Sequence, residues 1–461
     1  MFEASTYIGR RKRVRDHIDS GVLLFLGNDE SPMNYADNPF HFRQDSTFLY
    51  FFGLSFAGLA AVVDIDKDRE ILFGDDLTVE DIVWMGTQPT LAERSSAAGI
   101  SDIRPLNALQ KFIDDAHKVY RIIHFLPPYR DEHRLKLLKW MKVAPDKAEK
   151  TASVELIKAV VDQRNIKSPE EIAQLDLAAT ISADMHLTAM KMARPGVTEA
   201  DIAATVHRVA LAAGGNLAFP IIATIHGETL HNHYHGNTLK SGNMFLLDAG
   251  AETDMGYAGD LSSTIPVDPH FTPRQREIYT IALDAHEKAV SSLKPGVPFK
   301  DIHLLACRTI ASGMKDLGLM KGDVDEAVEA GAHALFFPCG TGHMMGLDVH
   351  DMENLGEKYV GYDGAEKSTL FGLKSLRLAR PLQPGFVLTV EPGIYFIPEL
   401  IDQWHAEGRF TDFIDYDNVN TYRNFGGLRN EEDFLITEKG CRLLGKPIPK
   451  SIEDVEAAKG T

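Results

Sequence analysis

Cysteine is scarce in this chain: three residues among 461, at positions 307, 339 and 441. The set is odd in number and has no CxxC spacing. That excludes a disulfide scaffold and suits a reducing cytoplasm. Long apolar runs are missing too. The longest uncharged apolar stretch, Phe48 to Val63, is shorter than the roughly 18–20 residues a membrane helix needs, and Gly53 and Gly58 interrupt it. It reads as strand, turn, strand. No apolar stretch of signal-peptide length accompanies the basic cluster Arg10–Arg15, so a cytoplasmic protein without a membrane role is expected. Positive charge is in deficit, with 48 basic residues against 66 acidic ones and a formal charge of −18. Such a field repels nucleic acid and anionic lipid. Against it, the basic cluster reads as a solvated helix face.

What is present has the ordinary balance of a globular protein, 44% hydrophobic and 25% charged. At roughly 100–200 residues per domain, the length suggests two or three domains. Residues 1–165 mix buried strand patterns (Val22–Leu26, Leu59–Ile65, Glu70–Phe73) with short helices, as expected of an α/β domain. A joint follows at Arg164–Glu171, where Ser168, Pro169, Glu170 and Glu171 spell a helix start. The helix should run to about Met192, which sets a second domain over 166–461. In that part Pro195-Gly-Val-Thr-Glu-Ala-Asp201-Ile202 is echoed by Pro295-Gly-Val-Pro-Phe-Lys-Asp301-Ile302. The echo suggests a duplicated, pseudo-symmetric half; two copies are too few for a solenoid.

Five segments place a hard or imidazole ligand at or near the end of an apolar strand or in a glycine-rich turn. They are Met244–Asp248, Asp260 after Gly256-Tyr-Ala-Gly259, His343 in Gly340–His350, Glu391 after Phe386–Val390, and Glu431 in Gly426–Asp433. Taken singly, each acid is equally a strand end or a turn cap. Converged, four carboxylates and one imidazole would repel one another without cations. Two divalent ions remove that conflict and suit hydrolysis, because they acidify water and polarise a carbonyl. Oxygen-rich ligation with one histidine favours Mn²⁺, with Co²⁺, Zn²⁺ and Fe²⁺ also admissible. No dinucleotide fingerprint or nucleophile elbow competes with this reading.

These segments resemble the metal-site motifs of the pita-bread metallopeptidases, the family of methionine aminopeptidase, aminopeptidase P and prolidase. Phe40-His-Phe-Arg-Gln-Asp-Ser-Thr-Phe-Leu-Tyr-Phe-Phe-Gly53 is similar to a signature of the aminopeptidase P/prolidase N-terminal domain. The resemblance implies an α/β (α+β) chain: an aminopeptidase P-type N-terminal domain over 1–165, then a pseudo-symmetric pita-bread catalytic domain over 166–461. It implies a dinuclear-metal peptidase that cleaves the N-terminal Xaa–Pro bond of dipeptides or short peptides. By motif, Asp248 would bind one metal, Asp260 and Glu431 would bridge, and His343 and Glu391 would hold the second.

Glu391 would also shuttle a proton, and His350 and His233 would contact substrate as catalytic histidines. Alternation would put His231, His233 and His235 on one strand face. Arg377 resembles the prolidase arginine that grips a dipeptide carboxylate, which tilts the expectation toward prolidase. Arg429 is implied as a further substrate contact. Cys339 stands where relatives usually carry a substrate-side histidine. A homodimer, short proline-containing peptides as partners, and no nucleic acid or membrane complete the expectation. The alternative is a non-catalytic pita-bread module that binds peptides or partners. Such modules characteristically lose ligands, whereas all five positions here retain ligand chemistry.

Overall fold

Helices and strands alternate along residues 1–459, the part of the chain described by a computed structural model. The chain divides into two units: residues 1–164 with 352–359, and residues 165–351 with the chain from 360 onward. Among the described residues no helix is long and apolar enough to cross a membrane.

The first unit is built on a five-stranded mixed sheet in the order 102–104, 69–73, 60–64, 22–26, 123–124. The strand patterns at Val22–Leu26, Ala60–Asp64 and Arg69–Phe73 form as their apolar runs dictate, and pair antiparallel in sequence. Two expectations fail here. The stretch from Phe48 is not strand, turn, strand: Ser46–Phe52 is a helix, followed by the strand Ala60–Asp64. Asp45 caps the helix by accepting from the Phe48 amide at 2.8 Å, and Gly53 closes it in the left-handed region at φ +65°. Phe51 and Phe52 then pack on Phe25 of the sheet. Tertiary packing overrides the strand preference of aromatics.

Nor is the basic cluster wholly solvated. Lys12 and Arg13 are exposed, but Arg10 and Arg11 are 1% and 0% exposed. Arg10 donates to the Tyr50 carbonyl and lies 4.0 Å from the Tyr50 ring centre. Arg11 donates to the carbonyls of Phe51 and Ala98 and pairs with Glu70 at 2.6 Å.

The helix start read at Ser168 forms in the second unit. Pro169–Met192 is one helix, with the Ser168 amide donating to the Glu171 carboxylate. It packs on the helix Glu199–Ala212, and Pro273–Ser291 packs on Phe299–Asp316 in the same way. The sequence echo is carried into the backbone. Gly196 and Gly296 both sit at positive φ, +92° and +85°, which only glycine adopts readily. Their amides donate to the carbonyls of Leu239 and Leu382 at 2.9 and 2.8 Å. Those leucines donate back to Val197 and Val297, both at 2.9 Å.

Nine residues after Leu239 comes Asp248, and nine after Leu382 comes Glu391. Each acid thus follows an equivalent turn and an equivalent buried strand, Met244–Asp248 in one half and Val387–Val390 in the other. The first strand lies between Ser262–Pro266 and Ile222–Thr224. The second pairs with Glu432–Ile436. The two sheets meet where Ser262 bridges Glu431 and the Thr264 hydroxyl bonds the Arg429 backbone. Two acids come from each half, and all four gather at that seam.

Candidate active site

A cavity of about 560 Å³ opens at the seam, and Asp248, Asp260, His343, Glu391, Glu431, His233, His350, Arg377 and Arg429 all line it. The backbone explains why. Asp248 ends its strand opposite Ser262, two residues past Asp260. Val390 pairs with Glu432, so Glu391 and Glu431 lie side by side beyond the last rung. Pro392 follows and cannot continue the ladder. His343 is fixed by its neighbours: its amide donates to the Thr389 hydroxyl, and its carbonyl accepts from the Thr389 amide at 3.0 Å.

The His343 ring has a defined orientation. Nδ1 donates to the Met344 carbonyl at 3.0 Å, because a carbonyl can only accept. In the neutral ring the lone pair then lies on Nε2, which faces Asp260 at 3.3 Å and Glu391 at 3.5 Å. The His350 ring stands edge-on to it, 4.3 Å between centres. Ligand atoms of Asp260, His343 and Glu431 all lie within 4.8 Å of one another.

The acids are held apart by few donors. Ser262 donates to Glu431 at 2.6 Å, and Thr389 to Glu391 at 3.2 Å. The Asp260 amide is itself anchored on Asp433 at 3.0 Å. Arg429 spans the site, donating to Asp248, to Ser262 at 2.9 Å and to Tyr395 at 2.9 Å. Asp248 Oδ1 and Asp260 Oδ1 are buried with no hydrogen-bond partner. Burial, followed by the Asp248 charge, drives the Asp260 pKa well above the carboxylate range. Burial also lifts Glu431, with Asp260 and Glu391 adding to it, and raises Glu391.

Some details differ from expectation. Residues 230–237 form no strand, so the three histidines share no strand face. The Asn232 side chain bonds the Tyr234 amide and the Thr224 hydroxyl, a local turn that competes with extended pairing. His231 and His233 line the cavity, while the His235 ring bonds the Ile221 carbonyl. Arg429 lines the cavity and also reaches across to a carboxylate and a tyrosine, which orders the acids. Cys339 is in the cavity wall, its thiol pushed up to about 12 chiefly by desolvation.

Ser262, Thr389, Tyr395 and Asp433 escape sequence reasoning. They act through contacts across the fold, and only their closeness to Asp260, Glu391 and Glu431 in sequence hints at them. The apolar wall of Phe219, Pro220, Ile222, Leu230 and Val349 escapes it entirely.

Residues 173–438, more than half of the chain, match the model of metallopeptidase family M24. The chain belongs to that family. Residues 7–123 match the aminopeptidase P N-terminal domain. A rat protein named Xaa-Pro dipeptidase is 30% identical, covering 97% of this chain and 90% of the relative. A Chaetomium globosum protein named probable Xaa-Pro aminopeptidase is 28% identical, over 92% and 79% respectively. The solved aminopeptidase PepP of Pseudomonas aeruginosa superposes with a TM-score of 0.82 at 26% identity, covering 100% of this chain and 98% of that one. The mixed α/β architecture and the metallopeptidase class follow.

The M24 family implies divalent metal ions, and the residues fit them. Two buried carboxylate oxygens lack any partner, and an imidazole lone pair points into the same group. Divalent cations would supply the missing partners.

Proposed function

We propose that the chain hydrolyses the bond before proline in Xaa–Pro dipeptides and short Xaa–Pro peptides. One observation carries the reading: four carboxylates and an imidazole line a single cavity that also presents two histidines, Arg377 and an apolar wall. Asp248, Asp260, His343, Glu391 and Glu431 would hold two divalent ions. When bound, such ions supply Lewis acidity to a carbonyl and lower the pKa of water.

The chain's own residues do the rest. Phe219, Pro220 and Ile222 give a pyrrolidine ring an apolar seat and exclude water. Arg377 pairs with the terminal carboxylate of a dipeptide. His350 and His233 donate to substrate oxygens and stabilise charge as it develops. Glu391 can pass a proton to the departing proline nitrogen. Arg429 keeps Asp248 in place throughout.

The proposal extends to manganese, which oxygen-rich ligation supports. It extends to a cytoplasmic location, which sparse cysteine supports. It extends to a homodimer: the helix Val79–Met85 leaves Val79 and Trp84 80% and 83% exposed, apolar surface that a second copy would cover.

The test is turnover of Ala-Pro and Ala-Pro-Ala by manganese-loaded protein. Both should be cleaved, the dipeptide faster. Absence of proline release from either, with manganese, cobalt, zinc and iron each tried, overturns the reading. Faster cleavage of the tripeptide moves the specificity to the aminopeptidase side.

A further inference from the structure

A second set of metal-ligating side chains lies in the core of the second unit. His303 and Cys307 are one helical turn apart on Phe299–Asp316, and His333 comes from the short 3-10 helix Ala332–Leu335. All three residues are 0% exposed. One ligand atom from each lies within 4.8 Å of the other two. None of them lines the catalytic cavity.

Three features point to a ligand. First, the His333 ring is fully buried; one nitrogen faces the Val328 carbonyl, and the other has no hydrogen-bond partner. Orphaned buried polar atoms of this kind are rare and call for an ion or a water. Second, the spacing suits a tetrahedral metal. Bonds of about 2.3 Å to sulfur and about 2.0–2.1 Å to nitrogen set those two atoms about 3.6 Å apart. Cys307 Sγ and His303 Nε2 are 3.5 Å apart. Third, His303 is already oriented as a ligand. Its Nδ1 bonds the Thr341 hydroxyl at 2.8 Å, the second-shell arrangement that metal-binding histidines use, and its Nε2 shares a hydrogen bond with the Cys307 thiol that a metal would replace. Burial lowers His303 to about 3 and His333 to about 4, so both rings are neutral and available. For His333, only the Val328 carbonyl opposes that shift.

We infer that His303, Cys307 and His333 form a second metal site, which takes a thiophilic divalent cation of the zinc type. Thiolate and imidazole select such ions over manganese. Binding releases the Cys307 proton to solvent as the thiolate forms. Among the described residues no aspartate, glutamate or further histidine or cysteine joins the group. The site braces the catalytic loop. Thr341, bonded to His303, accepts the Glu391 amide at 2.8 Å and lies two residues before His343.

The test is spectroscopic and independent of peptidase activity. Cobalt is supplied during expression, so that the buried site fills as the chain folds. The protein should show a near-ultraviolet thiolate-to-cobalt band. The band should persist in Asp260→Ala/Glu431→Ala, because carboxylates and imidazole produce no sulfur transition. It should persist in Cys339→Ser and disappear in Cys307→Ser. His333→Gln keeps the thiol and should weaken cobalt retention more than about tenfold, which serves should Cys307→Ser not fold. Absence of the band in the parent protein, its survival in Cys307→Ser, or unchanged cobalt retention in His333→Gln overturns the inference.

Discussion

Arg10 and Arg11 in the first unit are buried as deeply as Asp260 and Glu431 in the second, at 1%, 0%, 5% and 3% exposure. The two pairs meet burial in opposite ways. The arginines donate to backbone carbonyls of Tyr50, Phe51 and Ala98, stack on an aromatic ring and pair with Glu70. Their charge is compensated by the fold itself. The carboxylates face one another and carry raised pKa values, and Asp260 keeps an orphaned oxygen. Their compensation has to come from outside the chain. Burial of charge thus marks a functional site only where the protein leaves the charge unsatisfied.

The comparison can be broken at either end. The largest effect is expected from the carboxylates. Asp260→Ala or Glu431→Ala should lower turnover of Ala-Pro more than about a thousandfold, a loss of roughly 4 kcal/mol in transition-state stabilisation, with an unchanged circular dichroism spectrum. A normal rate in either variant removes the cage from the chemistry. Arg11→Ala should cost about 3–5 kcal/mol of stability in denaturant titration, since it breaks the Glu70 ion pair and strands two buried carbonyls at once. A loss below about 1 kcal/mol would make that buried pair ordinary surface chemistry.

Arg377→Ala is next. It should depress Ala-Pro turnover about tenfold more than Ala-Pro-Ala turnover, the difference that one desolvated carboxylate contact makes. Equal losses would detach Arg377 from the substrate terminus.

A further effect concerns pH. In metal-stripped protein the folded-state pKa values of Asp260 and Glu431 lie above their unfolded ones. The folded state then holds more protons, so stability is greatest below the ordinary carboxylate range and falls as pH rises through the raised values. Thermal melts of stripped protein from pH 4 to 8 should show that decline. Asp260→Asn should flatten it, and metal at about 100 times its Kd should restore about 2.7 kcal/mol.

How much was legible in the sequence follows the range of the interactions involved. The helix start at Ser168–Pro169 was legible because a cap is made within four residues. The five residues that converge on the cavity were legible because each ends an apolar run or sits in a glycine-rich turn, where an acid or histidine is conspicuous. The Phe48 helix was not, since its aromatics favour strands until Phe25 packs against them. Arg10 and Arg11 were misread because the carbonyls that hold them lie 40 and 87 positions away. Tyr395, 34 positions from Arg429, and Ser262, 169 from Glu431, were silent for the same reason.

The twin turns at Gly196 and Gly296 have a historical consequence. One ancestral segment, copied and fused, would bring its terminal acid twice to the axis relating the copies. Any ion lodged on that axis would be shared by both from the outset. Later divergence could then convert one copy's aspartate to glutamate and recruit His343 to one side only, turning a symmetric cradle into a directional one.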